Sequence, residues 1–134
     1  MAEIRYLSLA DVLALHQAMM ERFGADPAPL REEGLLESAI MRPRMAAYYD
    51  EADIVRQAVL LAVGVSQAQA FLDGNKRTAF AACDVFLRLN GIVIDGDPIE
   101  LALQLEAVAE RSDELEAATN RFDVWLRVHI RPRK

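Results

Sequence analysis

From Ile54 to Val65 the chain is apolar on nearly every face of a helix, with only Arg56 and Gln57 interrupting. A helix with no polar side belongs at the centre of a bundle. The wider stretch to Phe71 also contains Ser66, Gln67 and Gln69, which makes it too interrupted to span a bilayer. With 134 residues and 53% hydrophobic side chains, a single core can form without disulfides or a structural metal. The expected architecture is therefore all-α: one domain over residues 1–134, a compact bundle of about six helices packed around this segment.

The neighbouring segments supply the outer helices. Ser8 and Asp11 form a capping box ahead of Leu9, Val12, Leu13, His16, Met19, Met20 and Phe23, so a first helix is expected from Leu9 to Arg22. Gly24 and Pro27-Ala28-Pro29 end it. A short second helix starts at Glu32 and Glu33, carries Leu35, Leu36, Ala39 and Ile40, and stops at Pro43. Asp50 or Glu51 is expected to open the third, and Gly91 to close a fourth containing Phe80, Cys83, Phe86 and Leu89. Asp97 and Pro98 suit the start of a fifth, with Leu101, Leu103, Leu105 and Val108 on its apolar side. Ser112 is expected to cap a last helix with Leu115, Phe122, Trp125, Leu126 and Ile130, which Thr119-Asn120 could divide. Only Ile92-Val93-Ile94 resembles a strand, and it is too short to support a sheet alone.

A net charge of −6 argues against broad adhesion to nucleic acid or to an anionic membrane, since both need a basic surface. The single cysteine, Cys83, lies in an apolar run and reads as a small buried side chain in a reducing compartment. The first residues show no apolar signal region, so the expected location is the cytoplasm.

Chemistry concentrates between the two central helices, where Gln69-Ala70-Phe71-Leu72-Asp73-Gly74-Asn75-Lys76-Arg77-Thr78 crowds polar groups around one turn. A glycine entering a helix lets backbone N–H groups face outward, and the unpaired N–H groups of a first turn form an anion site that suits phosphate. Lys76 and Arg77 oppose the helix dipole there, an arrangement that an anion would relieve. Asp73 stands where a carboxylate could hold Mg²⁺ against the same phosphates. The bland alternative is a wet helix hairpin with Asp73 as a cap and Arg77 as a surface charge.

The run from Ala70 to Ala79 resembles the Fic/Doc signature His-x-Phe-x-Asp/Asn-Gly/Ala-Asn-x-Arg. Gly34-Leu35-Leu36-Glu37-Ser38-Ala39 and Phe86-Leu87-Arg88-Leu89-Asn90-Gly91 are also similar to Doc proteins, and the resemblance spans about Leu7 to Leu103. Lys76 before the signature arginine, where many Fic members have glycine, places the chain nearer the Doc branch. The resemblance implies ATP and Mg²⁺ as cofactors. For Doc it implies transfer of the γ-phosphate to a threonine of elongation factor Tu; for Fic, transfer of AMP to a protein hydroxyl. It also implies that Asp73 faces the metal, that Gly74, Asn75, Lys76 and Arg77 hold phosphates with Arg77 at the reaction centre, and that Phe71 anchors the loop.

The signature histidine, which takes the proton from the attacking hydroxyl, falls at Gln69. An amide cannot accept a proton near neutral pH, so base assistance worth about 10²–10⁴-fold should be lost. Because phosphoryl transfer relies mainly on positioning and charge neutralisation, that loss is softened. Two readings follow: a disarmed enzyme, or a protein that keeps the fold to bind partners. His16, on the apolar face of the first helix, reads as a core residue, and His129 as part of a solvated, frayed cationic tail. Met19, Met20, Met41 and Met45 read as packing residues, Trp125 as the anchor of the last helix, and Glu37 as an exposed acid. Ser112 to Ala117 only imperfectly echoes the Fic self-inhibition pattern, so restraint in trans is expected, from a Phd-like antitoxin whose helix lies in a surface groove.

Overall fold

The computed structural model describes residues 3–26, 29–96, 100, 102–104, 106 and 114–134. Its long helices are α1 (Leu9–Arg22), α2 (Glu33–Asp50), α3 (Ile54–Ala68), α4 (Asn75–Leu89) and α5 (Leu115–Arg127). Residues 100, 102–104 and 106 are also helical, while Asp97, Pro98, Leu101, Leu105, Val108 and Ser112 fall outside the described residues. The expected all-helical bundle is what forms. No described helix is long and apolar enough to cross a membrane.

Helix α3 is the axis of the fold and packs against α2, α4 and α5, while α1 lies on α4. Val55, Ala58, Val59, Leu61, Ala62, Val63 and Val65 are buried over most of its circumference, with the stripe of Arg56, Leu60 and Gln67 partly exposed, and they meet Leu36, Phe86, Phe122 and Leu126 in one core. The interrupting Gln57 is accommodated because its amide accepts from Tyr6 Oη (2.8 Å) and donates to the Ala52 carbonyl (3.0 Å). Cys83 is fully buried, and burial pushes its thiol up to about 12.

The first helix has the expected bounds and capping box: Ser8 Oγ accepts from Asp11 N–H, and the Asp11 carboxylate accepts from Ser8 N–H. The second does not stop at Pro43 but continues to Asp50. Proline removes one helical hydrogen bond and crowds the carbonyl four residues back. The helix persists because Ala39, Pro43 and Ala46 are buried on its inner side, where Gly64 of α3 lets the two backbones approach. Neither Asp50 nor Glu51 opens α3; Asp53 does, accepting from Arg56 N–H at 2.8 Å. Gly91 follows α4 in the left-handed region (φ 86°), as a helix stop requires.

The last helix is not divided at Thr119-Asn120, since Thr119 Oγ1 donates back to the Leu115 carbonyl at 2.6 Å within a continuous α5. Nor is the cationic tail a frayed helix. Ile130–Pro132 forms a strand, β2, antiparallel to β1 (Ile92–Ile94), with Val93 opposite Arg131. His129 stacks on Trp125 at 4.2 Å and its Nδ1 lies 2.7 Å from the Trp125 carbonyl. Trp125 packs against the core as expected, and Met20 is buried, but Met41 and Met45 lie on the outer side of α2 and are about half exposed rather than packed.

Candidate functional site

The turn between α3 and α4 is held by backbone and buried contacts from three directions. Helix α3 is closed by Gln69 at its C-cap, whose left-handed backbone (φ 49°) reverses the chain and whose side-chain Nε2 donates to the Ser66 carbonyl at 3.1 Å. The extended segment 29–32 runs antiparallel to residues 69–72: Arg31 N–H donates to the Ala70 carbonyl at 2.8 Å, and Leu72 N–H to the Pro29 carbonyl at 3.3 Å. Arg31 adds a side-chain bond from Nε to the Gln69 carbonyl at 3.2 Å. This lateral support leaves no periodic signature, since it consists of backbone pairing and one arginine contact between segments about forty residues apart.

Phe71 is buried, as an anchor should be. Asn75 accepts from Phe71 N–H (3.1 Å) and donates to its carbonyl (2.9 Å), so both ends of this amide are engaged within the loop. Its side chain shapes the turn, leaving the backbone N–H as the group free to face an anion. Gly74 has φ 82°, and a Cβ there would stand 2.6 Å from Met20 Sδ. Glycine is thus required by the dihedral and by the closeness of α1.

Helix α4 begins at Asn75 with no side-chain cap and no acidic residue in its first turn. Thr78 N–H is the first to reach back, to the Gly74 carbonyl, and Thr78 Oγ1 donates to the same oxygen at 2.8 Å. The N–H groups ahead of it retain their affinity for an anion. Lys76 and Arg77 are exposed at that end, and no carboxylate pairs with either among the described residues. The Arg77 guanidinium instead lies 4.2 Å above the Phe23 ring, which holds it beside the helix start. The site therefore gathers cations and bare N–H groups without internal compensation, which is what a polyanion needs.

Asp73 Oδ1 accepts from Gly74 N–H at 2.7 Å, and its other oxygen has no partner among the described residues. A hard, exposed carboxylate fits Mg²⁺, but no group of three or more His, Cys, Asp or Glu converges among the described residues. A divalent ion here would take its remaining ligands from water and from bound phosphate, the usual manner for Mg²⁺. Gln69, Asp73, Gly74, Asn75, Lys76 and Arg77 thus lie on one turn. Glu37 is exposed on α2 and contributes nothing visible to it. His16, read from sequence as a core residue, is buried and also touches the turn: its ring stacks on Phe71 (3.6 Å, 7°), with Nε2 2.9 Å from the Asp73 carbonyl.

Residues 6–87 match the model of the Fic/DOC family. The chain is 33% identical to the "Protein kinase doc" of Escherichia phage P1 over 100 residues, covering 74% of this chain and 78% of that one. It is 36% identical to the "Toxin Doc" of Mycolicibacterium smegmatis over 94 residues, 69% of each. Both alignments and the turn between α3 and α4 lead to the same assignment: the chain belongs to the Fic/Doc family, on its Doc branch.

Proposed function

We propose that this chain is the toxin of a toxin–antitoxin pair: a Doc-like protein kinase of the cytoplasm that uses ATP and Mg²⁺, phosphorylates a threonine of elongation factor Tu and so blocks translation. Its restraint is a Phd-like antitoxin bound in trans. The observation that carries the reading is the uncapped start of α4, flanked by Lys76 and Arg77 with Asp73 just before it. When bound, Mg·ATP supplies the phosphoryl group and neutralises part of its charge. The chain's own residues hold and orient: N–H groups of the α4 first turn bind phosphate oxygens, Lys76 and Arg77 offset their charge, and Asp73 faces the metal. Phe71, clamped by Asn75, keeps these groups in register.

Gln69 can orient an incoming hydroxyl by hydrogen bonding but cannot take its proton at neutral pH. Turnover by this chain is therefore expected to be about 10²–10⁴-fold below that of the histidine form. Gln69 also favours a second reading, a catalytically silent protein that acts through its antitoxin complex.

The test compares the chain with Gln69→His. Each is incubated with Mg²⁺, bacterial extract and ATP labelled at the α- or γ-phosphate. Gamma label on one protein of the size of elongation factor Tu, strong only with Gln69→His, supports the kinase. Alpha label replaces it with AMP transfer, and no label from either form leaves the silent binding protein.

A further inference from the structure

Helix α1 supplies one polar side chain to the underside of the phosphate turn. His16 is 3% exposed, its ring lies parallel to Phe71 at 3.6 Å, and its Nε2 is 2.9 Å from the Asp73 carbonyl oxygen. A carbonyl only accepts, so Nε2 carries the proton. The Asp73 carbonyl lies just before the N-cap, and the first α4 backbone bond is received by Gly74 instead. Without His16 this oxygen would face α1 with no donor.

The consequence follows from peptide planarity. The Asp73 carbonyl and the Gly74 N–H belong to one rigid unit and point in opposite directions. His16 holds the carbonyl side, while the N–H side donates to Asp73 Oδ1 at 2.7 Å. The orientation of this plane therefore sets the direction of the Asp73 carboxylate and the start of α4 together. The missing side chain of Gly74 lets α1 approach this closely, since a Cβ would meet Met20 Sδ at 2.6 Å and His16 Nε2 at 3.3 Å.

We infer that His16 is a positioning residue of the phosphate turn: through its Nε2–H bond to the Asp73 carbonyl it orients the Asp73 carboxylate and the N–H groups of α4 before any ligand arrives. The identity of the ligand, Mg·ATP, rests on the function proposed above; the positioning role does not.

Two variants separate the bond from the packing. His16→Phe keeps a flat ring against Phe71 and removes the donor, whereas His16→Gln places an amide N–H near the position of Nε2. Amide hydrogen exchange is measured on the free protein, and Mg·ATP binding by calorimetry. With His16→Phe, exchange of the bonded Gly74 and Thr78 N–H groups should accelerate about tenfold while α3 stays protected, and Mg·ATP should bind about tenfold more weakly. His16→Gln should recover most of both. Unchanged exchange of the Gly74 and Thr78 N–H groups in His16→Phe would overturn the inference. So would equal acceleration in α3 and the turn with no recovery in His16→Gln, since that is the mark of a merely structural residue. If Mg·ATP fails to bind the unmodified chain, the proposed function falls, and the exchange pattern still decides the role of His16.

Discussion

Asn75 closes both ends of its amide on the backbone of Phe71, joining the first residue of α4 to the loop that precedes it. Removing the amide leaves a part-buried N–H and carbonyl without partners. Each net bond is worth about 1 kcal/mol, more when a desolvated partner is stranded. Asn75→Ala should therefore lower stability by about 2–3 kcal/mol in urea unfolding. A side chain that served only to touch ligand would leave the unfolding midpoint unmoved.

At the crossing of α2 and α3, a Cβ on Gly64 would stand 3.1 Å from Ala39 Cβ and 3.3 Å from Ala39 Cα. The second neighbour is backbone and cannot rotate away. Gly64→Val should force the helices apart, with a penalty of about 1–3 kcal/mol that exceeds any gain in helix propensity. Thermal unfolding of the variant measures it.

Local chemistry makes the start of the first helix and the turn between α3 and α4 legible in the sequence. The Ser8–Asp11 box marks the start of α1, and the Asp73-Gly74-Asn75 run marks the turn, because both act through neighbours within a few residues. What escaped depends on contacts distant in sequence. Pro43 signalled a stop, but burial against α3 overrode it. The pairing of 29–32 with 69–72 is made by backbone bonds with a single side-chain addition from Arg31, and β2 is three residues long with two of them exposed, so neither shows a periodicity. The periodicity puts His16 on the apolar face of α1, but its acceptor lies fifty-seven positions away and leaves no local signal.

Pro43 poses an energetic contest that magnitudes can decide. A proline in a helix interior costs about 3 kcal/mol relative to alanine, and the two ring carbons lost in Pro43→Ala are worth about 0.8 kcal/mol each if fully buried. Pro43→Ala should therefore stabilise the protein by about 1 kcal/mol, read as a higher urea midpoint with an unchanged slope.

Asp53 caps α3 and takes a bidentate pair of bonds from Arg127, at 2.8 and 2.9 Å, tying α5 to the central helix. The Arg127 hydrogen bonds hold its carboxyl below the usual carboxylate range, more than offsetting the opposing effect of burial. With the folded value below the unfolded one, the stabilisation is complete above the unfolded value and disappears as pH falls through the folded value. The Asp53 side chain is 58% exposed, so screening keeps the contribution below about 1 kcal/mol. Asp53→Asn retains a good cap while removing the charge. Its stability should run slightly below that of the parent at pH 7 and converge with it below about pH 4, in denaturation series at stepped pH.

Gly74 combines two constraints that are usually separate. Its φ of 82° would cost a side-chain-bearing residue about 1–2 kcal/mol, and its Cβ would overlap Met20 Sδ at 2.6 Å. Sulfur at the end of a flexible side chain can move, but the His16 ring is fixed by Phe71 and the Asp73 carbonyl. Gly74→Ala should therefore lose about 2–3 kcal/mol, and Met20→Ala in the same chain should fail to restore it, since that change opens a cavity of its own and leaves φ strained. The double variant is the informative one. If urea unfolding finds it no less stable than Met20→Ala alone, the Met20 overlap was the whole penalty, and the backbone at Gly74 would have to adopt a conformation other than the one that turns the α4 N–H groups outward.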